Sequence, residues 1–169
     1  METREASFDF EAFFHAHYQR IARATGRVVG DHARAEEIAV EAFWKLWRNP
    51  RAQGEKAGGW VYRTAVRLAL NELRRQARST RYELLSGPGR QSPTPEEAHA
   101  AAERREQVRR VLAALDARQA ELLLLRSNGL SYGELAAAID VNPASLGTLI
   151  GRAQQAFRKE YLKQYGETK

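Results

Sequence analysis

Apolar residues recur along most of this chain at the spacing of a helix rather than a strand. Phe10, Phe13, Phe14, His17, Tyr18 and Ile21 share one side of a helix expected over 8–29, with Ser7 or Asp9 available as its N-cap. Gly30-Asp31 breaks it, and a second helix is expected over 33–47. Its inner side carries Ile38, Ala42 and Leu46, with Phe43 a further candidate for that side, while Glu36, Glu37 and Glu41 group on the other side. Asn49-Pro50, Gly54 and Gly58-Gly59 read as a loop. A third helix follows over 60–81, with Val61, Ala65, Leu68, Ala69 and Leu73 on a core side.

The pattern stops at 86–95, SGPGRQSPTP, which holds two Gly and three of the five Pro in the chain. A packed element does not have that composition, so this stretch reads as a flexible linker. Beyond it, Thr94-Pro95-Glu96-Glu97 starts a helix running to about Leu115, and another covers 118–126. Ser131-Tyr132-Gly133-Glu134 supplies a capping box for a short helix through Ile139. Asn142-Pro143 then opens a last helix reaching about Tyr165. A short helix, a tight turn and a longer helix make a helix-turn-helix, whose second member can enter the DNA major groove. The expected fold is all-α: two small helical domains, residues 1–85 and 96–169, joined by the linker 86–95, the C-terminal one a helix-turn-helix.

Charge sharpens this outline. Formal net charge is +6, and the excess is concentrated: residues 50–85 hold 8 basic groups against 3 acidic. At about 100° per residue, Arg63, Arg67, Arg74, Arg78 and Arg81 fall in an arc about 60° wide on the third helix, with Trp60, Thr64 and Asn71 on or beside it. A row of planar guanidinium groups suits phosphate oxygens, and an indole at its head offers a surface for an unpaired base. A solvated charged face with a core Trp explains the pattern equally well. The acids of the second helix are likewise open to two readings, a solvated face or a protein-docking strip.

Other chemistry finds little support. Without cysteine there are no disulfides or thiolate metal sites. His15, His17, His32 and His99 form no i, i+4 metal pair, and no nucleophile triad or phosphate loop is present, so neither an enzyme nor a bound cofactor or metal is expected. The N-terminal residues lack signal-peptide character and no stretch approaches the ~18 apolar residues of a membrane span, so a cytoplasmic location is expected.

Two stretches carry a family resemblance. ARAEEIAVEAFWKLW followed by GGWVYRTAVRLALNELRR resembles region 2 of bacterial RNA polymerase sigma factors of the extracytoplasmic-function (ECF) group. LSYGELAAAIDVNPASLGTLIGRAQQAFRKEY resembles their region 4 helix-turn-helix. The resemblance implies a factor that binds core RNA polymerase and directs promoter-specific initiation. Region 2 would dock on the clamp helices of the largest subunit through the segment holding Glu36, Glu37, Glu41, Phe43 and Trp47. It would capture the minus-ten non-template strand through Trp60, Arg63, Arg67, Asn71, Arg74, Arg75 and Arg78. Region 4 would sit on the flap of the second-largest subunit and contact the minus-thirty-five element through Ser145, Gly147, Thr148, Gly151, Arg152, Gln155 and Arg158. The resemblance also permits an anti-sigma factor as partner.

Departures from the family pattern are specific. Val40 stands where Gln is usual, Arg67 replaces a customary Asn and Asn71 a customary Asp, so backbone affinity should survive better than sequence preference. At the start of the recognition helix, Ser145-Leu146-Gly147-Thr148-Leu149 replaces a run of Thr-Val-Lys-Ser-Arg type, and both cations are missing. Gly147 and Gly151 weaken an exposed face by about 1 kcal/mol each relative to Ala. They point either to close approach by DNA or a partner helix, or to a helix that tolerates them because its core face holds it. The alternative function is therefore a sigma-like adaptor that binds polymerase or an anti-sigma factor and reads little DNA itself.

Overall fold

The computed structural model describes residues 7–86 and 96–166, with side chains described over 7–82 and 96–166. Among these residues the regular structure is helical: α1 (Phe10–Val29), α2 (His32–Trp47), a 3₁₀ turn at Pro50–Ala52, α3 (Ala57–Ser86), α4 (Glu96–Ala114), α5 (Ala117–Ser127), α6 (Tyr132–Ile139) and α7 (Pro143–Tyr165). The expected all-α class holds. The expected linker lies outside the described residues except for Ser86, which ends α3.

Local chemistry sets the boundaries. Asp9 caps α1 by accepting from the Ala12 N–H at 3.0 Å, and Gly30 ends it at φ 76°, a left-handed conformation that glycine takes without steric penalty. Asp31 caps α2 and Asp116 caps α5. In the helix-turn-helix, the Ser131 hydroxyl accepts from the Glu134 N–H at 3.2 Å while the Glu134 carboxylate accepts from the Ser131 N–H at 2.7 Å. That second bond holds the Glu134 carboxyl below its usual titration range. Asp140 closes the turn at φ 55°, and Asn142 with Pro143 opens α7.

One boundary differs from the sequence expectation. Gly58 and Gly59 belong to the first turn of α3 rather than to a loop. Their lack of side chains serves packing: a Cβ on Gly59 would come 3.2 Å from the Ala138 Cβ, and one on Gly58 would reach the His17 ring at 4.0 Å.

α1, α2 and α3 pack around Ile21, Val28, Ile38, Ala42, Phe43, Leu46, Val61, Ala65 and Ala69. Ala35 is fully buried, so α1 and α2 approach closely, and the Thr25 hydroxyl donates across that contact to the Ala35 carbonyl at 3.1 Å. α4 to α7 enclose Leu112, Leu124, Leu125, Leu135, Leu146, Ile150 and Ala153. The two sets belong to one continuous apolar cluster, because α3 packs against α4, α5 and α6 as well as against α1 and α2. Arg109 of α4 fastens the other edge: its Nε donates to the Val28 carbonyl at 3.0 Å, at the C-terminus of α1 where cations are favoured.

Candidate nucleic-acid interface

Three surfaces carry the residues singled out by the sequence. The first is the arginine stripe of α3. Val61, Ala65, Ala69 and Leu73 are buried as expected, which turns Arg63, Arg67, Asn71, Arg74 and Arg78 away from the α1–α2 side. Asn71 and Arg78 are exposed, whereas Trp60 is half-buried and packed against the core. Three of the arginines meet the C-terminal half. Arg63 Nε donates to Glu121 Oε1 and its Nη1 to the Ala138 carbonyl at 3.3 Å. Arg67 Nε donates to Glu121 Oε2 at 3.3 Å, and Arg74 Nη2 to the Leu115 carbonyl at 3.1 Å.

Arg75 points elsewhere. It binds Glu72 through two donors, at 2.6 and 3.2 Å, and the same carboxylate lies 3.2 Å from Nε of Arg34 on α2. Glu72 is buried, yet the hydrogen bonds from Arg75, with the Arg34 guanidinium paired to it, outweigh burial and hold its carboxyl below the ordinary range. Arg34 in turn donates to Glu37 at 2.8 Å. This chain of charges ties α2 to α3.

The second surface is the outer face of α2. Val40, Trp44 and Trp47 are 50%, 57% and 55% exposed, beside exposed Glu36 and Glu37 and half-buried Glu41. On a helix these six positions occupy an arc about 140° wide, a mixed aromatic and acidic strip. Phe43 does not share it. At 1% exposure it is a core residue, in edge contact with Phe10, Phe13 and Phe14 at ring separations of 6.4, 6.0 and 4.8 Å. Trp44 was missed by sequence reasoning, although its i+4 relation to Val40 on the acidic side was a usable signal.

The third surface is α7. Leu146, Ile150 and Ala153 face the core as expected, leaving Ser145, Gly147, Thr148, Arg152, Gln155 and Arg158 exposed and Gly151 half-exposed. A Cβ on Gly147 or Gly151 would meet nothing within 4 Å, so no contact within the chain requires either glycine. Beside this helix, Val108, Leu112, Leu123, Leu124, Ile150 and Phe157 line an apolar groove of about 460 Å³ between α4, α5 and α7.

An acidic-aromatic strip, an arginine row and a helix-turn-helix thus follow one another in this chain. Residues 13–79 match the family model Sigma-70 region 2, and residues 105–156 match Sigma-70, region 4. The chain belongs to the sigma-70 family, and the relatives it resembles are ECF sigma factors. Its relatives include the ECF RNA polymerase sigma factor SigE of Mycolicibacterium smegmatis, 27% identical over 159 residues, covering 90% of this chain and 61% of that protein. SigL of Mycobacterium tuberculosis is 29% identical over 90 residues, covering 52% of this chain and 49% of that protein. The chain thus spans about half to three-fifths of the length of these relatives. Among solved structures, CnrH, determined in complex with the cytosolic domain of CnrY, shares the fold with a TM-score of 0.54 at 18% identity, covering 89% of this chain and 85% of that one. The family is one of transcription regulators rather than enzymes. Among the described residues, no helix is long and apolar enough to cross a membrane.

Proposed function

We propose that this chain is an ECF-type sigma factor that binds core RNA polymerase in the cytoplasm and directs it to a small set of promoters, with no catalytic group of its own. The observation that carries the reading is the presence, in family order, of the α3 arginine stripe and the α6–α7 helix-turn-helix in one chain. α2 docks on the clamp helices through Glu36, Glu37, Val40, Glu41, Trp44 and Trp47. Charged, partly apolar strips of this kind give both steering and desolvated anchors. α3 takes the minus-ten non-template strand: Arg63, Arg67, Arg74 and Arg78 neutralise phosphates while Trp60 and Asn71 meet bases. α7 lies against the minus-thirty-five element through Ser145, Gly147, Thr148, Gly151, Arg152, Gln155 and Arg158. The apolar groove between α4, α5 and α7 receives an amphipathic helix, from the polymerase flap or from an anti-sigma factor. The complex of CnrH with the cytosolic domain of CnrY supports a protein partner for this fold.

Transcription by purified core polymerase on a randomised promoter library, with sequencing of transcript 5′ ends, tests the reading. A shared sequence upstream of starts that depend on this protein supports it. Reversing the charge of Arg63, Arg67 and Arg74 together should then abolish those starts. A second reading, the adaptor, is favoured by the absence of cations from the first two turns of α7. Core binding without defined starts would select it.

A further inference from the structure

α1, the start of α3 and α6 meet around a cavity of about 240 Å³, apart from the three surfaces described above. We propose that it binds a small phosphate monoester, with the phosphate held by the first-turn amides of α3, by Lys56 and by the Tyr62 hydroxyl. Such a site is independent of the promoter reading.

The helix start supplies two donors. In the first turn of α3 the Ala57 N–H donates to the Gly54 carbonyl at 3.1 Å, and the Trp60 N–H to the Lys56 carbonyl at 3.0 Å. Among the described residues no hydrogen bond uses the N–H groups of Gly58 and Gly59, and both glycines line the cavity. Unpaired amides and the partial positive charge at the head of a 30-residue helix favour a phosphate there. Without side chains at these two positions, an anion can come up to the backbone.

Tyr62 supplies a third donor. It is only 4% exposed, it lines the cavity, and its hydroxyl has no hydrogen-bond partner. A buried hydroxyl is rarely left in that state, because the missing bond costs stability. The charges that act on this hydroxyl include Arg20 on the α1 wall of the cavity and Glu134 on its α6 wall, so the hydroxyl belongs to that space.

Charge and size narrow the ligand. Lys56 and Arg20 both line the cavity, and the Arg20 guanidinium carbon lies 5.1 Å from the centre of the Tyr62 ring. Of the two acids in the lining, Glu134 is spent on the Ser131 N–H, while Glu55 is exposed. Two amides, an ammonium group and a hydroxyl match the three acceptor oxygens of a phosphate monoester. The cavity is too large for a phosphate group alone, so an organic body is attached, and Glu55 accepts from its hydroxyl groups.

Isothermal titration calorimetry of the full chain at low salt, with ribose 5-phosphate, inorganic phosphate and ribose as probes, measures binding, and thermal melts follow stability. Ribose 5-phosphate should bind more tightly than inorganic phosphate, and ribose should give no heat. At about ten times its Kd, ribose 5-phosphate should raise Tm by about 3–6 °C. Tyr62→Phe should melt above the unsubstituted chain in the absence of ligand, since it removes an unpaired buried group, and should bind ribose 5-phosphate about tenfold more weakly. Lys56→Gln, at an exposed position, should weaken binding in the same way. Absence of binding by either phosphate overturns the site. Inorganic phosphate binding as tightly as ribose 5-phosphate overturns the monoester. Unchanged affinity or a lower Tm in Tyr62→Phe overturns the part given to the hydroxyl. Binding that is lost in Arg78→Gln but kept in Lys56→Gln places the phosphate on the arginine stripe, and overturns the site as well.

Discussion

The two glycines of α7 offer a clean separation of stability from function. Gly147→Ala and Gly151→Ala add one methyl group each at positions where a Cβ meets nothing within 4 Å, so neither change can overpack the domain. Both sites lie inside the helix, four and eight residues beyond Pro143, where Ala is favoured over Gly by about 0.8–1.0 kcal/mol. The pair should therefore stabilise the protein by about 1.5–2 kcal/mol, or roughly 3–8 °C in Tm for a chain of this size. Thermal melts followed by circular dichroism measure this. Promoter-dependent transcription, run on the same preparations, decides what the glycines are for. Higher Tm with lost activity means that DNA or a partner helix approaches the α7 backbone closer than a methyl group allows. Higher Tm with unchanged activity means a helix that merely tolerated them. An unchanged or lower Tm would refute the reasoning at its root, since the space beside these positions would then not be open.

Phe43→Ala should cost about 3–5 kcal/mol in urea unfolding, because a fully buried ring in contact with three other phenylalanines is removed; a loss under 1 kcal/mol would contradict its core assignment. Trp44→Ala should change stability by no more than about 0.5 kcal/mol, yet weaken core polymerase binding by about 2 kcal/mol, roughly 30-fold; unchanged affinity in a fluorescence titration would remove Trp44 from the docking face. Because its folded-state pKa is depressed, Glu72 contributes stability above the ordinary glutamate pKa and loses it as pH falls through the lowered value. The stability gap between the unsubstituted chain and Glu72→Gln should accordingly narrow from about pH 7 to about pH 3, and urea midpoints showing a constant gap would be the contrary result.

Most helices were legible in the sequence because their signals are local. The Ser131/Glu134 capping box, Asn142-Pro143 and the Leu146, Ile150, Ala153 spacing all depend on neighbours within a turn or two, and each recurs in the structure. The start of α3 was not legible, because Gly58-Gly59 has the composition of a loop and its reason, the approach of His17 and Ala138, comes from distant parts of the chain. Phe43 was left open, since spacing allowed it on the inner side of α2 while the family resemblance put it in the docking segment. Its position on the rim of an acidic helix face fits either side, and the phenylalanines of α1 decide for the interior. The arginine stripe was read correctly as a stripe, but its partners were not. A lone Glu121 at the head of four leucines was the available hint, since an acid in such a run is either exposed by register or buried against a cation.

Arg63 and Arg67 also share a single carboxylate, and that imbalance has a kinetic meaning. Two positive charges facing one negative leave a surplus of one, and exposed Arg78 and Arg81 add to it along the same helix. These arginines are therefore partly neutralised in contact but not in field. At physiological ionic strength such a field reaches about 8 Å, enough to bias the diffusive approach of a polyanion toward α3 before any guanidinium is released. Association with a polyanion should thus slow as salt is added, even though each of these guanidinium groups already has a partner within the chain.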